Sequence, residues 1–260
     1  MTSLFHKLES PGHGSTKEQG MAQGVAQDAD AALLAGRCAI VAMPGLALGG
    51  ALARGLRRHG ARVVEIDVAP GSRADAEAAL GDATREAGGA DLVVHAGATP
   101  AALASRPLEA LSAEQWHSAV HRSMLTSLYF LQAVHRQQRE AGGATVVVGP
   151  STALVGAADL VPLITLAEAQ RTLVKSAARQ WGRHGMRLNW VGVGAQRYAP
   201  SLAEAALPST PELGPPPPAL GRVPEAEAEV ADVIAWLGSD GARGVTGASF
   251  NLDGGDWMVP

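Results

Sequence analysis

The chain contains 260 residues, of which 47% are hydrophobic, and it has a formal net charge of −4 without a block of basic residues. This length fits one α/β domain or two small ones, and the apolar content is enough for a large core. The charge argues against nucleic acid as a partner, and the single cysteine, Cys38, excludes a disulfide framework and a cysteine metal cluster. No apolar run reaches the roughly 18 residues of a membrane span, and residues 1–35 lack the apolar segment of a signal peptide. We therefore expect a cytoplasmic protein.

Short apolar strands and helices alternate along most of the chain. The predicted strands are 38–42, 62–67, 91–96, 144–148, 187–193 and 248–252, and the predicted helices are 49–59, 72–87, 113–139, 160–183 and 225–238. This alternation predicts a parallel sheet with helices on both faces. Residues 1–30 are predicted to form a flexible arm, which leaves 36–260 as the folded domain, and the eight prolines of 195–224 predict a loop with polyproline character.

Three motifs of the C-terminal half carry a family resemblance: Gly185-Met-Arg-Leu-Asn189, Val245-Thr-Gly247 and Asn251-Leu-Asp-Gly-Gly255. With the strand that ends at Asp67, they resemble the short-chain dehydrogenase/reductase (SDR) family over about residues 36–257. The resemblance implies a single Rossmann-like, doubly wound parallel sheet and an oxidoreductase that uses NAD(P). Only 23 residues separate Asp67 from Asp91, enough for one helical crossover but not for the additional edge strand of the family. We therefore expect about six strands, with that edge strand and half of the adenine pocket missing.

The glycine-rich turn of the family is poorly matched. Its Thr-Gly-x-x-x-Gly-x-Gly pattern falls on residues 42–49, where only the last glycine, Gly49, survives. The side chains of Met43 and Ala47 are expected to lie where the phosphates pass, and Pro44 removes one backbone N–H donor.

Some elements of a dinucleotide site nevertheless remain. Gly45 and Gly50 offer a rearranged turn, and Asp67 follows Gly49 at the distance where an acid binds an adenosine ribose. The alternative interpretation of Asp67 is a solvated acid at a strand end. We regard Gly45, Gly49 and Asp67 as vestiges of a cofactor site, and expect no bound NAD(P).

The catalytic positions also depart from the family. Its Asn, Ser, Tyr and Lys positions are held by Ser123, Pro150, Leu163 and Ala167. Hydride transfer to a carbonyl needs a proton donor nearby, and leucine and alanine cannot supply one, so no catalytic residue is assigned. The eight histidines show no metal-binding spacing, and no metal site is predicted.

These departures leave three hypotheses. The first, which we favour on the sequence, is a catalytically inactive protein, the non-catalytic subunit of a heteromeric SDR dehydrogenase. It would form a homo- or hetero-oligomer, most readily with an intact SDR subunit, through helices 113–139 and 160–183 and the last strand, 248–252. The second is an active NAD(P)-dependent oxidoreductase with an atypical site, using Ser151, His95 or Tyr198 as donor. The third is a cofactor-free ligand-binding or regulatory protein.

Overall fold

The computed structural model describes residues 32–202 and 218–258, and six strands lie in these residues. They are Cys38–Ala42 (β1), Arg62–Ile66 (β2), Leu92–His95 (β3), Gly143–Pro150 (β4), Met186–Val193 (β5) and Ser249–Leu252 (β6). The α-helices of the same residues are Ala47–Arg58 (α1), Arg73–Ala87 (α2), Ala113–Trp116 (α3), Arg122–Gln138 (α4), Val161–Trp181 (α5), Ala195–Tyr198 (α6) and Ala231–Gly238 (α7). The predicted arm 1–30 and half of the proline-rich segment 195–224, residues 203–217, lie outside the described residues.

The strands form one parallel sheet in the order β2-β1-β3-β4-β5-β6. The predicted six-stranded, doubly wound sheet is thus confirmed. A single helix, α2, occupies the span between Asp67 and Asp91, and β2 is therefore the edge of the described sheet.

Both faces of the sheet are covered by helices because alternate residues of each strand point to opposite sides. On one face, Val41 of β1 belongs to a core that includes Leu52 of α1 and Ile234 of α7. On the other face, Ile40 belongs to a core that includes Phe130 of α4. The near-continuous apolar strands of the sequence follow from this double coverage.

The predicted helix 113–139 is interrupted in the structure. Ser112 begins it with the predicted capping box, in which its hydroxyl accepts from the Gln115 N–H and the Gln115 side chain accepts from the Ser112 N–H. After α3, residues His117–His121 form a π-helical turn, and α4 follows directly. Such turns occur often near functional sites, and this one immediately precedes Ser123.

Candidate active site

The carboxyl ends of β1 and β3 define the candidate site. The chain leaves β1 towards β2 on one side, and β3 joins β1 on the other, so the direction of winding changes between them. Ligands of doubly wound sheets bind in the crevice outside the strands at such a point. The turn 43–46 after β1 and the loop 96–99 after β3 border this crevice.

The turn after β1 leads directly into the start of helix α1. Gly45 has a φ of 72°, in the left-handed region, and its N–H donates to Asp67 Oδ1 at 3.2 Å. Helix α1 begins at Ala47; no side chain caps it at Leu46, and its first turn contains no acidic residue. The N–H groups and the positive dipole end of α1 are therefore available to an anion.

The structure contradicts the expectation that Met43 blocks this turn. Met43 is only 3% exposed and packs in the core beneath α1. A methyl group added to Gly49 would lie 3.0 Å from Met43 Cβ, so the turn and the helix pack closely at this glycine. A methyl group added to Gly45 would meet no atom within 4 Å, so the space above the turn is open. Ala47 is exposed at the first position of α1. These features fit a pyrophosphate.

A cavity of about 330 Å³ lies between the loop 69–71 after β2, the loop 99–101 after β3 and helix α4. Arg122 and Tyr129 of α4 line it and provide a cation and an aromatic ring. The described residues thus form a pocket at this place although they contain no additional edge strand beyond β2.

The four family catalytic positions are buried. Ser123 Oγ donates to the carbonyl of Ala119 at 2.6 Å and accepts from the N–H of Thr99 at 3.1 Å. Pro150 is the last residue of β4, and the side chains of Leu163 and Ala167 in α5 are each 1% exposed. The structure places each of these residues at the carboxyl side of the sheet or against it, and does not itself assign them a role.

The three alternative donors differ in environment. Ser151 follows β4, is completely buried, and its hydroxyl has no hydrogen-bond partner. Burial lowers the pKa of His95 to about 4, so its ring is neutral at pH 7. Burial also raises the pKa of Tyr198 above its ordinary value. Neither His95 nor Tyr198 is therefore suited to exchange a proton near neutral pH, and the Ser151 hydroxyl offers a hydrogen bond but no acidic proton.

Sequence reasoning missed two further polar residues near the site. Gln170 of α5 is 2% exposed and donates to the carbonyl of Gly97 at 3.1 Å and to Ser127 Oγ of α4 at 2.7 Å. A signal for Gln170 was present, because it interrupts the apolar stripe of helix 160–183 three residues after Ala167. Ser127 gives no such signal, since serine occurs on helix surfaces of every kind.

Comparisons with known proteins match almost the whole chain. The sequence model of a family described as enoyl-(acyl carrier protein) reductase matches residues 14–256. The cis-4-hydroxycyclohexanecarboxylate dehydrogenase of Sinomonas cyclohexanicum is 34% identical over 247 residues, covering 91% of this chain and 93% of the relative. The D-threitol dehydrogenase of Mycolicibacterium smegmatis is 28% identical, covering 85% and 93%.

A solved structure shares the fold. The 3-ketoacyl-(acyl-carrier-protein) reductase of Brucella melitensis, complexed with NADH, has a TM-score of 0.71 and 16% identity, and covers 86% of this chain and 100% of its own. With the family match, these similarities show that the chain belongs to the SDR family.

The comparisons overturn two predictions from the sequence. The chain is not supported as a catalytically inactive subunit, because relatives that align with nearly its whole length are named as dehydrogenases. The prediction of no cofactor is also wrong, since the chain belongs to the SDR family, whose resemblance implies an enzyme that uses NAD(P). The physical reason for the second error lies in the turn: Met43 is buried in the core, and the space above Gly45 is open.

No helix in the part of the chain that the structure describes is long and apolar enough to cross a membrane.

Proposed function

We propose that this protein is an NAD(P)-dependent oxidoreductase that interconverts a secondary alcohol and the corresponding ketone, with an atypical proton-transfer site. The observation that carries the proposal is the turn at Gly45, which joins an open left-handed glycine, an uncapped helix start and the carboxylate of Asp67. Backbone N–H groups and a helix dipole bind phosphate, and an acid after the second strand binds a ribose hydroxyl.

The residues that would hold the dinucleotide follow from this arrangement. The turn at Gly45 and the first N–H groups of α1, beginning at Ala47, would bind the pyrophosphate. Asp67 would accept hydrogen bonds from the adenosine ribose, and the cavity beside Arg122 and Tyr129 would accept the adenine. When bound, the cofactor supplies or takes up the hydride.

The chain's own contribution to the chemistry differs from the family pattern. We infer that Leu163 and Ala167 stand at the positions of the family's Tyr and Lys, so these positions provide an apolar wall rather than an acid. Ser151 Oγ–H donates a hydrogen bond to the carbonyl oxygen of the substrate, which satisfies a buried hydroxyl that otherwise has no partner. The proton that the developing alkoxide needs would then come from water, which leaves hydroxide, because the buried His95 ring carries no second proton at pH 7 and burial makes Tyr198 a weaker acid.

The relatives support an alicyclic alcohol as substrate. Of the two relatives described above that align over most of both chains, the more similar one is named for a hydroxylated cyclohexane carboxylate, and the other is named for the polyol D-threitol.

We also propose that the protein acts in the cytoplasm as an oligomer of its own copies. The outer face of α4 and α5 has an apolar hollow lined by Met124, Leu125, Leu128 and Leu173. Leu128 is 37% exposed there. A second copy would bury this surface by symmetric pairing.

The proposed function is tested by measuring dinucleotide binding and alcohol oxidation. The purified full chain is titrated with NADH and with NADPH by calorimetry, and then assayed for NAD(P)⁺ reduction with cis-4-hydroxycyclohexanecarboxylate, cyclohexanol and D-threitol. We expect saturable binding of at least one dinucleotide and turnover of a cyclic alcohol in preference to the polyol. Absence of binding by both dinucleotides would overturn the proposal, and turnover of the polyol alone would overturn the substrate class.

A further inference from the structure

Three buried polar side chains meet between the sheet, α4 and α5. They are His95 at the end of β3, Ser127 of α4 and Gln170 of α5, and each is at most 2% exposed. Buried polar groups require hydrogen-bond partners, and an unsatisfied one is costly. The partners of these three residues lie in the chain segments that border the candidate cofactor site.

His95 is held in one orientation by its surroundings. Its ring stacks on Phe130 with 4.2 Å between the ring centroids, and its Nδ1 lies 3.1 Å from the carbonyl oxygen of Ala42, the last residue of β1. A carbonyl oxygen only accepts, so Nδ1 carries the hydrogen and Nε2 is a bare acceptor. In the structure this Nε2 is buried and has no partner.

Gln170 occupies the other end of the cluster. Its side-chain Nε2 donates both to the carbonyl of Gly97 and to Ser127 Oγ. Because Ser127 Oγ accepts this hydrogen bond, its own hydrogen is available for donation elsewhere.

Gly97 explains how the two ends come together. A methyl group on Gly97 would overlap Ser127 Oγ and lie 2.8 Å from His95 Nε2. Only the absence of a side chain at Gly97 lets both polar atoms approach the same point of the backbone.

We propose that Gln170, Ser127 and His95 form one hydrogen-bonded network that positions the cofactor-binding backbone, with Gln170 as its positioning residue. Gln170 fixes the loop after β3 and the Ser127 hydroxyl, and His95 donates from Nδ1 to Ala42. The link between these two ends is the proposed one: the free hydrogen of Ser127 bonds to the unpartnered His95 Nε2, a contact that the structure does not itself contain. The network thereby connects α5 with the end of β1, one residue before the turn that leads to Gly45. This inference rests on the proposed function, because it assigns the network to the same dinucleotide site.

The network is tested by NADH binding. Gln170→Leu keeps the size of the side chain and removes its donor, and Ser127→Ala removes the hydroxyl. We expect each variant to raise the Kd for NADH about tenfold, the loss of roughly one buried hydrogen bond. The double variant should raise it no further than the larger single effect, because coupled residues are not additive. Gln132→Leu is the matched control: Gln132 lies on α4, is half-buried, and should leave the Kd unchanged.

A second measurement does not depend on any variant of Gln170 folding. Side-chain ¹⁵N NMR of the full chain reports the histidine tautomer, with His95 assigned by the signal that His95→Gln removes. The network requires the Nδ1–H tautomer, with an Nε2 signal that shifts in Ser127→Ala. An Nε2–H tautomer, or no response to Ser127→Ala, overturns the network.

The two proposals fail differently. If the wild-type chain binds neither NADH nor NADPH, the proposed function fails and the role of the network in cofactor binding fails with it. If the wild-type chain binds NADH and both variants bind it equally tightly while their melting temperatures change, Gln170 only packs the core and the network proposal alone is overturned.

Discussion

Replacing Gly45 with alanine separates cofactor binding from folding. Gly45 has a φ of 72°, and an added Cβ would meet no atom of the described chain within 4 Å. The cost to the fold is therefore backbone strain alone, about 1 kcal/mol for an L-residue in the left-handed region. For a chain of this length such a loss lowers the melting temperature by roughly 2–4 °C. The methyl group, however, enters the open space where the pyrophosphate is proposed to bind.

The sequence offers a closely matched control. Gly36 has a φ of 75°, and an added Cβ there also meets nothing within 4 Å. Gly36 precedes β1, at the opposite end of the strand from Gly45. Gly36→Ala should thus cost the same strain without touching the candidate site.

The assay is a comparison of the two variants by thermal melting and NADH titration. We expect equal small losses of stability, an unchanged Kd in Gly36→Ala, and a Kd raised at least about tenfold in Gly45→Ala, a loss of some 1.4 kcal/mol of binding free energy. If Gly45→Ala binds NADH as tightly as Gly36→Ala does, the dinucleotide does not pass over this turn, and the reasoning from the open glycine is refuted.

Three other predictions follow from single side chains. Ser151→Ala should lower kcat by about tenfold to a hundredfold with the Kd for NADH unchanged, because the lost group contacts only the developing alkoxide. Thr152→Val is the control. An unaffected kcat in Ser151→Ala would show that Ser151 takes no part in the reaction. Because the pKa of His95 is lowered from 6.5 to about 4, only the unfolded chain takes up this proton between those values, so the free energy of unfolding is unaffected above pH 6.5 and falls by about 3 kcal/mol as the pH drops towards 4. Urea unfolding at pH 7 and pH 4 should show this loss in the wild type and a smaller one in His95→Phe, and equal losses would contradict the assignment. Leu128→Arg should reduce the mass of the assembly measured by light scattering, and a monomeric wild type would end the oligomer proposal.

The fold was predictable because it depends on patterns that side chains impose over many residues. Apolar strands alternating with helices predicted the parallel sheet, and the short span between Asp67 and Asp91 predicted six strands. Boundaries were less accurate: α1 begins at Ala47 rather than Gly49. Leu46 lacks a capping side chain, so no residue marked the start of this helix in the sequence.

The site was harder to predict because its properties depend on directions that a pattern does not contain. At the place of a family glycine, Met43 suggested a blocked turn, but its side chain points beneath α1 into the core. Gln170 and Ser127 lie 43 residues apart, and only the packing of α5 against α4 makes them partners. Such a contact becomes visible in the folded chain alone.

Cofactor binding and proton transfer place different demands on a sequence. This difference explains how the chain can differ from its family at the catalytic positions and still be the dehydrogenase that we propose. Phosphate is bound by backbone N–H groups and a helix dipole, which survive side-chain changes as long as Gly45 keeps the path open. A proton donor depends on one side chain with a suitable pKa, and Leu163, at the position that we infer to be that of the family's Tyr, cannot supply one. The loss of the donor therefore does not predict the loss of the cofactor. It predicts instead slow chemistry on a bound dinucleotide, in which a hydrogen bond from Ser151 supplies a part of the stabilisation that an acid would give.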